Sequence, residues 1–530
     1  MDDFPCHDRR AVSAALIGLV TALSAGSALS VGSTSALATD LDYSKPWIMP
    51  FDVDQRFPDS KKTGINSQSQ VYDFMWKTFV AINWPQKANG KRAEPDSSAS
   101  LAPWANTDQS EGPVVWQSYR RPNEVFVDPD EWPLNWNSPP EGPLVVCPQA
   151  NAFGLPVMTI SAHGMNYSDY SNGVNQPYIQ ANYPTGPVTD QNGHFLRYEV
   201  GINRSYFKYV GHYRYYDADI QDPAVQNYIA FADKKGKRPP IQFKRNARYF
   251  QALPGGTERY LLGFPDYARQ GIAEWKAAWK VLDGDDVEER FYRRWAYFLN
   301  PDGSCEGPVK VGLIALHIHR VTPDLGHIGT TFEQVDNTTL QKDYSSAKVS
   351  GAADLPPHAS LNPGTKSNPA AYPNGYEICN RNGENCEAGI GGNLPSSIRD
   401  GETLPNRPRI TNVSRQVPIP DDVDQVNAEW RKRLKGSVFF YYQMIGAQNR
   451  NIDEPNPNLG PGTRGAQVSS TNNLINTALE SYTQAGWSCA LCHQNAFPQG
   501  VTLPLPSFGP AYDPLHTISF LLQNAQRSSD

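Results

Sequence analysis

The spacing of apolar residues predicts where helices form. In 71–85 and 272–282, apolar side chains recur every three or four residues, which is the helical period. Pro85 ends the first of these helices. The composition of 423–448 and 471–486 is also typical of helices. We therefore predict helices near both ends of the chain and one in its middle.

A different pattern fills the centre of the chain. Apolar and polar residues alternate in 195–210 after the turn signal Asp190-Gln191-Asn192-Gly193, and 310–322 is a nearly continuous apolar run, so both are predicted strands. Residues 338–412 are poor in apolar side chains and rich in Asn, Pro, Gly and Ser. These patterns predict an α+β fold with a strand-rich central body, helices at both ends and long loops.

The N-terminal residues have the pattern of a secretory signal peptide. Arg9 and Arg10 precede a short apolar stretch, and Ala36-Leu37-Ala38 is a small-x-small cleavage site. We predict export to the periplasm, with a membrane anchor as the alternative. The predicted organisation has five parts: a signal peptide at 1–38, an irregular segment at 39–70, a mixed α+β body at 71–337, a loop-rich insertion at 338–412 and a helical C-terminal region at 413–530.

Charge and length limit the partners. No stretch after the leader approaches the roughly 20 apolar residues of a membrane span, and the net charge of the chain is −7. A mildly acidic chain of this kind argues against nucleic acid and anionic membranes as partners. We expect a redox partner protein or a small-molecule substrate instead, and the sequence does not specify an oligomeric state.

Six cysteines follow the predicted leader. Cys379 and Cys386 flank the polar turn CNRNGENC and are spaced for a small disulfide loop, which leaves Cys147 and Cys305 as a long-range pair. The alternative is that one of these pairs consists of two buried thiols.

The last two cysteines form a C-x-x-C-H motif with Cys489, Cys492 and His493. In this motif two thiols add to the vinyl groups of haem and the His binds the iron as proximal ligand. A thioredoxin-like pair would need an early strand–helix setting, and a zinc site would need a second matching pair of ligands. We predict one covalent haem c, which makes the helical region 413–530 a haem-attachment region rather than a small class I cytochrome c domain. A redox pair, a zinc site and a plain disulfide are the less favoured alternatives.

The second axial position of the iron is less defined. No Met follows Cys492, so the arrangement of small electron-transfer cytochromes is excluded. His317 and His319 alternate along a predicted strand and should point to one face, and His317 is the favoured second axial or distal residue. The remaining candidates are less favoured: His319, His327, His516, Met444 in a predicted helix, and a separate metal site of His317, His319 and Glu333.

Several segments together resemble a largely uncharacterised family of bacterial exported proteins described as cytochrome c family proteins. They include YDFMWKTFVAINWP, DQNGHFLRYEVGIN, EWKAAWKVL, GLIALHIHR, TTFEQVDN and the closing NLINTALESYTQAGWSCALCH with SFLL. The resemblance runs from about residue 70 to the end. It implies covalent haem at the C-x-x-C-H motif and supports His317. Two blocks, GAQNR and HIGTTFE, lack Trp residues of the family pattern, which leaves the ligand or partner open.

Size favours a haem enzyme over a simple carrier. The chain is several times longer than the hundred or so residues that cover one haem, and its aromatic blocks are able to wall a pocket. The primary hypothesis is therefore a periplasmic haem c oxidoreductase acting on a small molecule, peroxide or O₂. Two others remain: an electron-transfer cytochrome or redox subunit, and a binding or sensing module in which haem is structural.

Overall fold

A computed structural model describes part of the chain, and all described residues belong to the compact unit Leu41–Asp530. They are 67–88, 90–99, 113–132, 135–137, 158–161, 188–222, 272–283, 286–299, 305–322, 326–338, 359–361, 376–378, 387–389, 413–415, 417–451, 467–468, 474, 476–481, 489, 521 and 524–527. The predicted signal peptide, the segment 39–66 and most of the predicted insertion lie outside these residues.

The centre of the molecule is an eight-stranded, mostly antiparallel sheet. Its strands are β1 (Met158–Ser161), β2 (Arg197–Ile202), β3 (Ala273–Val281), β4 (Arg293–Leu299), β5 (Cys305–Thr322), β6 (Gly326–Gln334), β9 (Tyr442–Asn451) and β10 (Gln467–Val468). The order β1-β4-β5-β6-β9-β10 forms one path, and β3 pairs with both β2 and β5. Only β1 and β4 pair in parallel among these strands. The eighteen-residue β5 pairs with three other strands, β3, β4 and β6.

Helices and short 3₁₀ segments surround this sheet. The α-helices are α1 (Gln68–Ile82), α2 (Arg204–Tyr213) and α3 (Asp421–Arg433). The 3₁₀ segments are Val115–Ser118, Pro122–Glu124, Pro129–Glu131, Glu288–Arg290 and Val438–Tyr441. Within the described part of the chain, no helix is both long and apolar enough to cross a membrane.

One face of the sheet carries the aromatic core. Phe332 of β6 lies 4.2 Å from Phe79 and 4.8 Å from Trp76, measured between ring centroids, and Trp76 stacks on Trp430 of α3 at 5.8 Å. Met444 of β9 pairs with Phe332 and is fully buried in the same cluster. Burial of these large apolar side chains fixes α1 and α3 on this face.

Asn427 joins the helices to the sheet, and its replacement is our first prediction. Its side chain accepts hydrogen bonds from Trp76 Nε1 and from the Met444 amide, and donates to the Met444 carbonyl. Asn427→Leu leaves these buried groups unpaired, so we expect a loss of about 2–4 kcal/mol in the free energy of unfolding. Denaturant unfolding measures it. The control Lys432→Ala, on the exposed side of the same helix, should cost no more than about 0.5 kcal/mol; equal losses would contradict the role of Asn427.

The structure confirms the α+β class and several predicted elements. Helix α1 covers residues 71–82 of the predicted 71–85 stretch, and Ser67 Oγ caps its start by accepting from the Gln70 amide. The apolar run at 310–322 lies in β5, and the residues 330–334 lie in β6. In the alternating stretch 195–210, the structure has strand β2 followed by helix α2, so that prediction is right only in its first half.

The predicted helix at 272–282 is wrong, because these residues form strand β3. Trp275 and Trp279 are four residues apart, a spacing that puts side chains on one face of a helix and equally on one face of a strand. Pairing of β3 with β2 on one edge and β5 on the other satisfies its backbone along most of its length. This tertiary pairing overrides the helix propensity of its Ala and Lys residues.

The predicted helix at 423–448 is wrong in its second half. Helix α3 ends at Arg433, and Gly436 has a φ of +90°, a conformation that favours glycine just beyond a helix. The chain then runs through a 3₁₀ turn into β9. Met444 is therefore a strand residue on the aromatic face, not a helical one.

A separate hairpin gives our second prediction. Strands β7 (Tyr376–Ile378) and β8 (Glu387–Gly389) are antiparallel, and their last described pair is Ile378 with Glu387. Continued by one residue, this register predicts Cys379 opposite Cys386, at the Cα separation of about 4.5–5.5 Å that a disulfide needs. Cys305 is disulfide-bonded, with a partner outside the described residues.

Peptide mapping without reduction tests this pairing. We expect one linked peptide joining Cys379 to Cys386 and a second joining Cys147 to Cys305. A peptide that links either hairpin cysteine to Cys305 would contradict the predicted register.

Candidate functional site

The second face of the sheet is polar although it is buried. Residues paired directly across strands lie on the same face, and two neighbouring rows of this kind cross β3, β5, β6 and β9. The first row is Glu274, His319, Gly329 and Gln448, and the second is Lys276, His317, Thr331 and Gly446. Both imidazoles are buried, and their ring centroids are 6.1 Å apart. The prediction that His317 and His319 share one face is confirmed.

A C-terminal turn covers this polar face. The described residues of the predicted helix 471–486 are Leu474 and Asn476–Ser481; of these, 477–481 form a turn rather than a helix. The Glu480 amide donates to the Asn476 carbonyl at 2.9 Å, and the Ser481 hydroxyl donates to the Thr477 carbonyl at 2.5 Å. We call the residues 474–481 the docking turn.

Glu333 of β6 anchors the docking turn. Its carboxylate is fully buried and accepts hydrogen bonds from the Thr477 amide at 2.6 Å and from the Thr477 hydroxyl at 2.9 Å. Arg415 forms a hydrogen-bonded ion pair with the same carboxylate. A buried carboxylate with this many partners is a strong tertiary attachment, because each partner offsets part of its desolvation.

Three further contacts complete the attachment of the turn. The Asn476 side chain donates to Thr331 Oγ1 at 2.6 Å and to the Phe332 carbonyl at 3.0 Å. The Tyr198 hydroxyl of β2 donates to the Ala478 carbonyl at 3.1 Å. The turn is thus held by strands β2 and β6 at once.

His317 contacts the turn through a carboxylate. Its Nε2 lies 2.7 Å from Glu480 Oε1, and Glu480 Oε2 accepts from the Asn476 amide at 3.0 Å. Burial raises the pKa of the Glu480 carboxyl, but the charge and hydrogen bond of His317, with smaller contributions from Lys276 and the Asn476 amide, leave that pKa below its usual value. Glu480 is therefore ionised at neutral pH.

Cys489 reaches the same face beside His319. A Cβ added to Gly329 would lie 3.1 Å from the Cys489 Cβ and 3.3 Å from the His319 Cε1, so both side chains approach the same point above this glycine. The absence of a side chain at Gly329 makes room for both. The structure thus places Cys489, the first cysteine of the motif, beside His319, which was the less favoured of the two histidines in the sequence.

The surroundings of Cys489 are apolar on its other side. It packs with Ile445 and Leu474 in a small hydrophobic cluster, and its Sγ lies 3.8 Å from the Leu474 carbonyl oxygen. The thiol is buried and not part of a disulfide. A buried thiol outside any disulfide, held by apolar side chains and beside the His319 imidazole, is a suitable attachment point for a large apolar cofactor with a metal centre.

Other predicted site residues are placed less fully. Cys492, His493 and His516 lie outside the described residues. His327 pairs with Val321 at the start of β6, but its side chain is not described. Met444 lies in the aromatic core, on the face of the sheet opposite to the docking turn. This position argues against Met444 as an iron ligand.

The described residues do not bring His317, His319 and Glu333 together as one set of metal ligands. Glu333 is occupied by Arg415 and Thr477, and His317 by Glu480. The described ranges contain no group of three His, Cys, Asp or Glu side chains arranged to hold a metal ion.

Two residues of the site were missed in the sequence. Glu480 lies in a stretch read as an ordinary helix, and Gly329 has no chemistry of its own. Glycine inside a strand often marks a close approach of another group, but no strand was predicted at Gly329, so this signal was not used.

The residues present fit a covalently attached haem. The site offers a buried thiol outside any disulfide, apolar neighbours, and a buried ring nitrogen, His317 Nδ1, that has no hydrogen-bond partner in the described part of the chain. Haem sites combine apolar enclosure with a few polar groups that tune the iron.

Comparisons with known proteins give no independent identification. No protein-family model, curated protein or solved structure matches this chain. Its function must therefore be argued from the motif and from the face of the sheet that holds it.

Proposed function

We propose that this chain is a periplasmic mono-haem c-type cytochrome that acts as an oxidoreductase on a small molecule, peroxide or O₂. Cys489, Cys492 and His493 would hold the haem, two as thioethers and the third as proximal iron ligand. The observation that supports the proposal is the position of the buried Cys489 side chain, which meets His319 above Gly329 on the polar face of the sheet.

The chain's own residues would supply a distal environment. When bound, haem supplies an iron centre for redox chemistry. His317 would be the candidate second residue near the iron, and it would contribute Nδ1, a buried polar atom with no hydrogen-bond partner among the described residues. The docking turn would keep bulk water from this face, because Glu333, Asn476 and Glu480 hold it against the sheet.

An electron-transfer cytochrome is the second candidate function. The observation in its favour is the second imidazole, His319, which contacts the same space above Gly329 as Cys489. An imidazole that closes the sixth position would leave the iron without room for a substrate, and the protein would then pass electrons to a docking partner.

Two spectra test the proposal on the exported protein. A pyridine haemochrome spectrum typical of haem c, retained after acid–acetone extraction, is expected for the full chain and should be lost in Cys489→Ala. A full chain without covalent haem would refute the cofactor. The ferric spectrum then separates the functions: high-spin iron that binds cyanide supports chemistry at the metal, and low-spin iron unmoved by cyanide supports electron transfer.

Single histidine variants give our third prediction. We expect His319→Ala and His317→Ala each to shift the ferric spectrum, because both imidazoles lie on the face that holds Cys489. His212→Ala is the matched control, since this residue is exposed on helix α2 away from the sheet. If neither site variant differs from the control, the polar face is not the haem environment.

A further inference from the structure

Three tryptophans form a connected cluster behind the polar face of the sheet. Trp275 of β3 pairs with Ile318 of β5, the residue between the two buried histidines, so its side chain lies on the opposite face from them. The Trp116 ring centroid lies 4.3 Å from that of Trp275 and 5.9 Å from that of Trp279. All three indoles are fully buried. The cluster therefore begins one sheet thickness away from the proposed haem site.

Charged groups differ between the two ends of this cluster. Trp279 Nε1 donates a hydrogen bond to Glu199 Oε2 at 2.9 Å, and the Glu199 side chain is 4% exposed. Arg121 lies 2.6 Å from the other carboxylate oxygen, Oε1, and its guanidinium carbon lies 5.4 Å from the Trp275 ring centroid. Arg121 offsets part of the Glu199 charge, but it contacts the oxygen that Trp279 does not. Trp279 is thus nearest to an anion, and Trp275 is nearest to a cation.

This arrangement of charges orders the three indoles by their ease of oxidation. An indole that loses one electron becomes a cation, which a carboxylate at hydrogen-bond distance stabilises and a guanidinium destabilises. Burial reduces screening by water, so both effects are larger here than at the surface. Trp116 lies between the two extremes, because its Nε1 donates to the neutral Asn83 amide oxygen at 2.9 Å. We therefore expect Trp279 to be the easiest of the three to oxidise and Trp275 the hardest.

The Trp279 end of the cluster also approaches the surface. The Tyr292 ring centroid lies 6.3 Å from that of Trp279, and the Tyr292 hydroxyl donates to Gln117 Oε1 at 2.7 Å. Gln117 is half-buried, and the Arg121 side chain is 25% exposed. An electron donor outside the protein can therefore come closer to Trp279 than its full burial alone suggests.

We propose that Trp275, Trp116 and Trp279 are a one-electron relay, in which Trp279 holds the oxidised state beside Glu199. The Trp279 indole gives one electron, through the other two rings, to a haem oxidised by a hydroperoxide, which is itself reduced to water or an alcohol. The Nε1 proton stays in the hydrogen bond to Glu199, and a redox partner protein later returns one electron. The link to haem rests on the proposed function, whereas the ease of oxidation of Trp279 rests on the cluster alone.

Light-driven oxidation tests the relay without using the haem. The exported chain is illuminated with tris(bipyridine)ruthenium(II) and persulfate, which together form a one-electron oxidant, and the frozen sample is studied by EPR. We expect a tryptophan radical, recognised by the change in its hyperfine structure when the chain carries ring-deuterated tryptophan. In Trp279→Phe this signal should fall at least about tenfold, because the indole beside the carboxylate is removed.

Two further variants separate charge from packing. Glu199→Gln keeps an oxygen that accepts from Trp279 Nε1 but removes the charge, so the radical signal should fall at least about threefold. Trp430→Phe is the matched control: this indole is equally buried and donates to Asp73 at 2.9 Å, but the Arg433 guanidinium carbon lies 4.9 Å from its ring centroid. A signal that survives both Trp279→Phe and Glu199→Gln, or falls equally in Trp430→Phe, overturns the relay. Thermal unfolding checks that each variant is folded, and Glu199→Gln decides if Trp279→Phe is not.

H₂O₂ tests the link to haem. In the haem-loaded chain, freeze-quenched samples should show the same tryptophan radical after H₂O₂ is added. In Trp275→Phe this signal should be lost while the light-driven signal remains. A haem-loaded chain that shows only the light-driven radical overturns the link to haem. An absent haemochrome spectrum overturns the proposed function and this link together, whereas the light-driven spectrum still decides whether Trp279 holds the oxidised state.

Discussion

Glu333→Ala should detach the docking turn and weaken the whole fold. The variant removes the acceptor for both Thr477 hydrogen bonds and leaves the buried Arg415 guanidinium without its carboxylate. Breaking a buried ion pair by removing one partner costs about 3–5 kcal/mol, because the remaining charge stays desolvated. We expect a loss of this size in the free energy of unfolding, measured with denaturant on the exported protein.

Detachment of the turn should also loosen the proposed haem site. Leu474 packs against Cys489, and Glu480 contacts His317, so both belong to the segment that Glu333 anchors. Hydrogen exchange of residues 474–481 should therefore rise more in Glu333→Ala than exchange of β5.

Two variants control this result. Glu288→Gln weakens contacts with Lys310 and Arg293, but the Glu288 side chain is 33% exposed, so the loss should stay within about 1 kcal/mol. The double variant Glu333→Gln with Arg415→Met should regain part of the lost stability, because no unpaired charge remains buried. A Glu333→Ala protein as stable as Glu288→Gln would contradict the anchoring role.

Gly329→Val should prevent the close approach of Cys489 and His319. Even a Cβ at this position lies 3.1 Å from the Cys489 Cβ, which is tighter than ordinary contact, and valine adds two methyl groups there. Overpacking of a buried site costs about 1–3 kcal/mol, and 1.4 kcal/mol corresponds to a tenfold change in an equilibrium. We expect the fraction of chains carrying covalent haem to fall by about tenfold, measured by haemochrome absorbance per chain.

The comparison that isolates this site is another glycine of the same sheet. A Cβ added to Gly312 of β5 would meet Leu282 at 2.9 Å and Phe291 at 3.0 Å, within the cluster of Leu282, Phe291 and Ala315 rather than beside Cys489. Gly312→Ala should therefore lower stability without lowering the haem content of the folded protein. A Gly329→Val chain with full haem content would show that haem attachment at Cys489 does not depend on the close approach above Gly329.

Individual elements show how far the sequence could be interpreted. Helix α1 was predictable because its apolar spacing, its capping serine and Pro85 agree with one another. Strand β3 was not, because the spacing of Trp275 and Trp279 satisfies two periods at once and only strand pairing distinguishes them. The end of α3 was only partly predictable. Gly436 is a residue typical of a helix end, but the apolar run after it fits a helix as well as the strand β9 that it forms.

The candidate site divides in the same way. The sequence by itself determined the residue types and their local order: the C-x-x-C-H motif, and two histidines two residues apart that a strand must place on one face. It also grouped His317 with Glu333 in one less favoured metal site, without assigning either residue its partner in the structure.

Only the tertiary structure decided which of these groups meet. The register of β5 with β6 places His319 beside Gly329, and the docking turn brings Cys489 to that point and Glu480 to His317. These contacts join residues up to 170 positions apart, such as His319 and Cys489. Local spacing cannot specify such pairs, because they depend on strand register and on buried anchors such as Glu333 that act only once the sheet has formed.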